Sequence, residues 1–500
     1  MLRSIFYNTG SNVLVMVVKL VITFVMTPIF VSNLGNYDYG LWEILGAIVG
    51  YMGLLDLGIK PAISRFAAKY KAEKGDLNLK ALYSSAFAFM GVIGILIMTF
   101  FVLWGIFFPE LVAENASEPQ RYTLLLLIVG IQLLITFPAF VAESFFEGFQ
   151  KYYLKNNITI FNSVVGSVVL YFFITPENGL VLLAGVNATG FCIKYVVLIW
   201  LLARPSYGSI KPDWTYFSFS KLKEILSFGL KSVVQGIATR VENATDSLVI
   251  GFFLGPALVP IYSIPANLVN YIRTFSWTLT HAFMPLFSQL DALNESEKIK
   301  QVYFAASRYV ISLILPIGAG ICLVGSSFIG LWVGPEFAES ADLLILLLVL
   351  FTTFPFIDPF NSRYLTAIGK HGIFAKLTPV SALLNLVLSV LLVQDYGIIG
   401  VAIGSVIPVF IFVPIYLLYT CKQLEVSVWD YLRECILPTL LPTLVMIVAV
   451  WVYRLEWGMD SYFKIMGAVV IGILVYVPLF WLLTLKKAER GMIYSRLRRA

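Results

Sequence analysis

The sequence predicts an all-α protein embedded in a membrane, crossing it about fourteen times. Three observations carry that prediction. Of the 500 residues, 59% are hydrophobic and only 13% charged, against roughly 25% charged in a soluble globular domain. The mean hydropathy is +0.86. Apolar runs of about twenty residues, the length that crosses a bilayer as a helix, recur along the whole chain. Backbone polar groups in hydrocarbon must be satisfied internally, so the spans are helices or strands of a closed barrel. Barrel strands would alternate apolar with polar over about ten residues. Val92–Phe108, Leu124–Phe137 and Leu343–Phe354 do not alternate, and they read as helices.

The first span, about Val13–Val31, is too long for the apolar region of a cleaved signal and has no small-x-small site after it. Polar, glycine or proline breaks then set spans near 12–32, 40–59, 82–108, 122–143, 156–175 and 180–202. They continue at 225–253, 257–282, 304–332, 341–362, 372–393, 397–420, 435–453 and 463–485. The longest connections, near 60–81, 203–224 and 283–303, are polar and basic. Four cysteines, two of them in spans, give no disulfide framework.

Lysine and arginine collect on alternate connections: Arg65 to Lys80, Lys151 and Lys155, Arg204 to Lys223, Lys298 to Arg308, Arg363 to Lys376, Lys422 to Arg433, and the tail from Lys486. The intervening connections are short and hold only Arg121, Arg454 and Lys464. By the positive-inside rule both termini are cytoplasmic. The net charge of +6 is explained by this asymmetry rather than by nucleic acid.

The chain also repeats itself. Phe30-Val-Ser-Asn-Leu-Gly35 ends the first span and Ile250-Gly-Phe-Phe-Leu-Gly255 ends the seventh. A slide of about 220 residues also brings Lys19 next to Arg240 and Pro61 to within about four residues of Pro285. Two halves in the same orientation are a known transporter plan, with the substrate site near mid-membrane. The implied organisation is a six-helix bundle over 1–205, another over 206–425, and two further helices with a basic tail over 426–500.

Five cations lie within the apolar stretches: Lys19, Lys194, Lys231, Arg240 and Arg273. Each costs several kcal/mol in hydrocarbon unless it faces a polar interior or reaches the interface. Lys194 is about two turns from a span end and long enough to snorkel; Lys231 sits at the start of its span. Lys19 and Arg240 are deeper, where the bland alternative is a buried ion pair with Glu242 or Asp246. Arg273 shares a helical stripe with Asn267 and Asn270. Guanidinium and ammonium groups suit phosphate. Lys19, Arg240 and Arg273 are therefore expected to hold a diphosphate, with Asn267 and Asn270 meeting sugar and Lys231 and Lys194 drawing it in. Glu242 and Asp246 are candidates to bind H⁺ or Na⁺ from a gradient, the only energy source expected. Asp56, Arg65, Glu143 and Glu147 are expected at helix ends or a gate. The sequence holds no Walker loop and no His/Cys metal cluster, so no enzyme and no bound cofactor is expected.

The chain resembles the Wzx-type polysaccharide-export flippases of the multidrug/oligosaccharidyl-lipid/polysaccharide exporter superfamily. The resemblance rests on Tyr39-Gly40-Leu41-Trp42, on Leu54-Leu-Asp-Leu-Gly58 through Arg65, and on Glu147-Gly-Phe-Gln150 with Tyr152. It extends to Asp246 followed by Ile250–Gly255 and Tyr262, Leu365-Thr-Ala-Ile-Gly369, and Tyr396-Gly-Ile-Ile-Gly400. It implies two bundles of six helices in a V around a central cavity, plus two C-terminal helices, in an inner membrane. It also implies flipping of a polyprenyl-diphosphate-linked oligosaccharide for surface polysaccharide, with membrane lipid around it and polymerase or assembly proteins as partners. The rival readings are a drug/cation antiporter and a membrane polymerase or glycosyltransferase. The short loops between spans argue against the last.

Overall fold

A computed structural model of the chain describes residues 2–56, 58–108, 119–281, 283–339, 341–487 and 489–491. Within these, the side chains of 2–6, 9, 119, 230–244 and 281 are not described. The described residues form sixteen α-helices joined by short 3-10 and π turns, with no strand among them. Two compact units divide the chain, residues 1–240 and 241–500.

The first unit contains α1 (Leu2–Met52), α2 (Ile59–Ala72), α3 (Asp76–Phe107), α4 (Pro119–Gly148), α5 (Tyr152–Phe173), α6 (Gly179–Leu202) and the start of α7 (Phe219–Phe253). The second contains the end of α7, then α8 (Val259–His281), α9 (Phe283–Ala292), α10 (Ser296–Trp332), α11 (Ala341–Thr353), α12 (Asn361–Ala367) and α13 (Gly372–Leu424). It closes with α14 (Val428–Tyr431), α15 (Leu437–Trp457) and α16 (Tyr462–Leu479).

Ten helical stretches among the described residues are long and apolar enough to cross a membrane. The difference from fourteen has two sources. Gly10–Asp56 and Gly372–Leu424 are 47 and 53 residues long, each holding two expected spans. At about 1.5 Å per residue either is long enough for two crossings of a 30 Å core. A single glycine breaks each: Gly35 at φ 70, ψ 173 and Gly397 at φ 57, ψ −139. The expected seventh and eighth spans do form helices, α7 and α8, but their stripes of charged and amide side chains leave them too polar to qualify.

The surface is that of a protein solvated by lipid. Leu96, Phe172, Phe463 and Leu474 are each more than 60% exposed, whereas soluble proteins keep most large apolar side chains inside. Small residues let helices approach. A Cβ at Gly94 of α3 would lie 3.0 Å from the Leu134 carbonyl of α4, the close backbone contact that favours helix association in lipid. The polar connection after α6 is tied to α3, where the Ser85 hydroxyl accepts from the Ser218 amide at 2.9 Å and donates to its carbonyl at 3.1 Å. In the second unit α15 and α16 dock on α10. Arg454 donates to the Leu323 carbonyl at 3.0 Å and Tyr462 to that of Leu331 at 2.9 Å.

The repeat is visible in the backbone. Gly35 and Gly255 both have positive φ, 70 and 91. Lys74 and Asn294 are both left-handed at φ 53 and 55, an uncommon state for non-glycine residues. Each is followed by an amide that closes the preceding helix: Gly75 to the Tyr70 carbonyl at 2.9 Å, Glu295 to that of Leu290 at 3.0 Å. Corresponding positions are 220 residues apart in every case.

Candidate functional site

In the first unit the charged side chains gather around Glu143 on α4. Lys194, from the middle of α6, donates to Glu143 Oε2 at 3.0 Å, and the Tyr195 hydroxyl donates to the same oxygen at 3.2 Å. Lys155, near the start of α5, lies 3.5 Å from Glu143 Oε1 and hydrogen-bonds Glu147 one turn further along α4. The Lys194 and Glu143 side chains are 12% and 16% exposed. Lys194 therefore does not snorkel to the interface. Its reach is spent sideways, on a carboxylate 51 residues earlier in the chain, because a buried ammonium is stabilised far more by a partner than by a partial escape.

Two further lysines border this group. Lys60, at the start of α2, places Nζ 3.2 Å from the centroid of the Phe140 ring, a cation–π contact. Burial holds its ammonium below the usual lysine value, and Glu143, Asp56 and Glu147 oppose that shift. Lys19 on α1 is exposed and feels the charges of Lys194 and Glu143; it has no hydrogen bond or ion pair among the described residues. Lys155 and Lys194 thus contact the carboxylates of Glu143 and Glu147, and the ammonium groups of Lys60 and Lys19 lie in the same neighbourhood.

The other sequence candidates of this unit have structural partners. Asp56 accepts from the Gly58 amide at 2.8 Å and fixes the turn between α1 and α2. Arg65 lies over the Phe228 ring at 4.6 Å. Two polar side chains of α1 serve packing: Asn156 of α5 donates to Asn12 at 2.6 Å, and Thr27 donates to the Thr23 carbonyl at 2.7 Å. The sequence shows Lys155 only as a loop charge and does not single out Lys60. The signal that finds them is the pair Glu143 and Glu147, spaced i,i+4 on one face of α4. A tight turn at Gln150, φ 55, then brings the start of α5 back against that face.

In the second unit the polar cluster centres on Asp246 of α7. Its Oδ2 accepts from the Tyr262 hydroxyl of α8 at 2.5 Å. The Ser405 hydroxyl, on the second half of α13, stands 3.3 and 3.2 Å from the two carboxylate oxygens. Asn385, on the first half of α13, donates to Ser405 at 2.8 Å. Tyr262, Asn385 and Ser405 are all buried, and Asn385 Oδ1 has no hydrogen-bond partner among the described residues. Carboxylate, amide and hydroxyl oxygens form a donor set suited to a hard monovalent cation or a proton. On α8, Asn267 is exposed and Asn270 and Arg273 half-buried; the Asn270 carbonyl accepts from Thr274 at 3.1 Å. The structure assembles Lys194, Glu143 and Glu147 in one unit and Asp246 in the other. Lys231, Arg240 and Glu242 lie in α7, but their side chains are outside the described residues. No cluster of metal-ligating side chains occurs among the described residues.

Residues 34–342 match the family described as polysaccharide biosynthesis protein. The chain belongs to that family. Relatives agree with the assignment. A probable low-salt glycan biosynthesis flippase of Haloferax volcanii is 24% identical over 57% of this chain and 58% of its own length, so the chain matches little more than half of that relative. A Shigella flexneri protein named as an O-antigen transporter is 22% identical over 80% of this chain and 94% of its own. Among solved structures, the lipid II flippase MurJ, in an inward closed conformation, superposes with a TM-score of 0.65 at 18% identity, covering 93% of this chain and 98% of that one. An inward-facing multidrug resistance transporter of the MOP superfamily gives 0.63 at 17% identity over 81% and 94%. The polysaccharide biosynthesis family member described here thus has the all-helical, multi-pass fold of those transporters.

Proposed function

We propose that this protein is a flippase that moves a polyprenyl-diphosphate-linked oligosaccharide from the cytoplasmic to the outer leaflet for surface polysaccharide export. The observation that carries the reading is the lysine group of the first unit. In an apolar bundle its ammonium groups outnumber the carboxylates, and Lys19 is exposed. A surplus cation at depth calls for an anion, and a diphosphate supplies one without hydrophobic cost to the lipid tail. The names of the Haloferax and Shigella relatives support a glycan substrate. Lys19 is the residue of the first unit assigned to the diphosphate; Arg273 keeps its assignment to that group, and Asn267 and Asn270 theirs to sugar hydroxyls, from the sequence alone. Lys194, held by Glu143, sets the field that Lys19 experiences. Arg240 and Lys231 remain assigned from sequence alone.

Coupling to an ion gradient is assigned to Asp246, with Glu242 as the sequence-based second candidate. Tyr262, Ser405 and the unpartnered Asn385 Oδ1 support a seat for H⁺ or Na⁺ there. Both termini face the cytoplasm in this reading, with the protein in the inner membrane beside the polymerase or assembly proteins that use its product.

The test is export of a lipid-linked oligosaccharide in cells lacking their own flippase, with variant levels in the membrane checked. Lys19→Ala and Arg273→Ala are expected to abolish surface polysaccharide while the lipid-linked intermediate accumulates inside. Normal export in both variants and in their double would remove these cations from the mechanism. A second reading, a drug/cation antiporter, draws on the Asp246 cluster and on the fold shared with multidrug transporters. It requires that Asp246→Asn, and neither base variant, abolishes transport.

A further inference from the structure

One buried acid takes no part in the reading above. Asp358 is 0% exposed. It stands at a break in the helical path, between the 3-10 turn Phe354–Ile357 and α12, with φ −128 and ψ 74. Oδ1 accepts the hydroxyl of Tyr303 from α10; Oδ2 has no close hydrogen-bond partner among the described residues, the Thr420 hydroxyl being its side-chain neighbour. The walls are aromatic and closed. Tyr303, Phe360 and Tyr431 are 0% exposed, and Tyr431 of α14 donates to the Ile357 carbonyl at 2.8 Å, sealing the residue just before the acid.

Hydroxyls, thiols and phenols face Asp358. α10 contributes Tyr303; α13 contributes Thr420 and Cys421; α14 contributes Tyr431, with Cys435 just beyond. None is a cation. The nearby bases point elsewhere: Arg308 of α10 pairs with Glu489, and Arg363 of α12 lies 5.6 Å from the Trp277 ring. A carboxylate met only by the hydroxyls of Tyr303 and Thr420, with no cation beside it among the described residues, is among the costliest groups to bury. A carboxylic acid in the same place is not, since the neutral form pays little for desolvation.

We propose that Asp358 is a proton-binding site of the second unit, separate from Asp246, which keeps its proton while α10, α12 and α14 close around it and exchanges it only when they part. On exchange the carboxyl O–H bond breaks, the proton passes to entering water, and the carboxylate is left hydrated. Closure reverses these steps. The site therefore reads the packing of one end of the unit, the end that carries α9, α12 and α14. Its place in a transport cycle rests on the flippase reading; its existence does not.

Infrared spectroscopy of the purified full-length protein in lipid nanodiscs tests this without any substrate. The wild type is expected to show a protonated-carboxyl C=O band at neutral pH that is lost in Asp358→Asn and retained in Asp246→Asn. Tyr303→Phe, which removes the phenol's hydrogen bond to Oδ1 of the acid, is expected to shift the same band. It serves as the readout should Asp358→Asn unfold. Identical wild-type and Asp358→Asn spectra from about pH 5 to 9, or a band unmoved by Tyr303→Phe, would overturn the proposal. Failure here leaves the export assay untouched, and failure of the export assay leaves the band to be measured.

Discussion

Glu143 and Asp358 occupy comparable places in the two halves of the chain. Each follows a Phe-Pro step, Phe137-Pro138 or Phe354-Pro355, and each precedes a positive-φ reversal into a long helix, at Gln150 or Gly369. Their surroundings are opposite. Glu143 is met by two ammonium groups and a phenol. Asp358 is met by one phenol and otherwise by rings and small side chains. The same backbone device thus buries an acid by two physical routes, charge pairing in one unit and aromatic enclosure in the other. The first route fixes the acid as an anion and couples it to whatever its lysines touch. The second leaves it sensitive to the closure of its own walls.

Substitutions separate the two routes. The largest effect is expected for Glu143→Ala, which strands Lys194 and leaves Lys155 with Glu147 alone. Breaking a buried pair from one side costs about 3–5 kcal/mol, read as a drop in thermal unfolding temperature in detergent. The Glu143→Ala/Lys194→Ala double variant should lose less than the sum of the single changes. Additivity would mean that the pair does not interact. Next comes Gly58→Ala, which tests the turn carrying Asp56 and Lys60. Gly58 has φ 70, and an added Cβ would lie 2.4 Å from the Gly229 carbonyl. Strain and overlap together are expected to cost about 2 kcal/mol, and a neutral outcome would show that α2 and α7 shift readily. Tyr431→Phe removes the hydroxyl over Ile357 and should cost about 1 kcal/mol. The smallest effect is expected for Asp358→Asn, a neutral and nearly isosteric change, at under about 1 kcal/mol. A loss as large as that from Glu143→Ala would mean that Asp358 is held as an anion after all, and the contrast between the units would fail.

Much of this architecture was legible in the chain. Apolar length alone predicts helices, and the 220-residue slide predicts paired reversals before any coordinate is known. Gly35 and Gly255 carry their conformation in their residue type. Lys74 and Asn294 do not, and only the structure shows them alike. The deep cations and acids were also visible as residue types. Their pairing was not, because Lys194 and Glu143 are 51 residues apart and their meeting depends on how α4, α5 and α6 pack. Lys155 was hidden for a different reason: it looked like a loop charge of the kind that sets orientation. The enclosure of Asp358 draws on α10, α12, α13 and α14, and no local pattern foretells it.

The glycine breaks in α1 and α13 have a consequence for any protein that must find this one. At Gly35 and Gly397 the path changes direction within a single residue, leaving no loop to be gripped, cut or tagged. A protease or an antibody gains no purchase there, and an inserted epitope would have to rebuild the backbone before it could be seen. The connection at 203–218 is the contrary case, with exposed Lys211 and Trp214 on irregular chain. A soluble probe finds exposed chain at such a connection, and the glycine breaks stay inconspicuous.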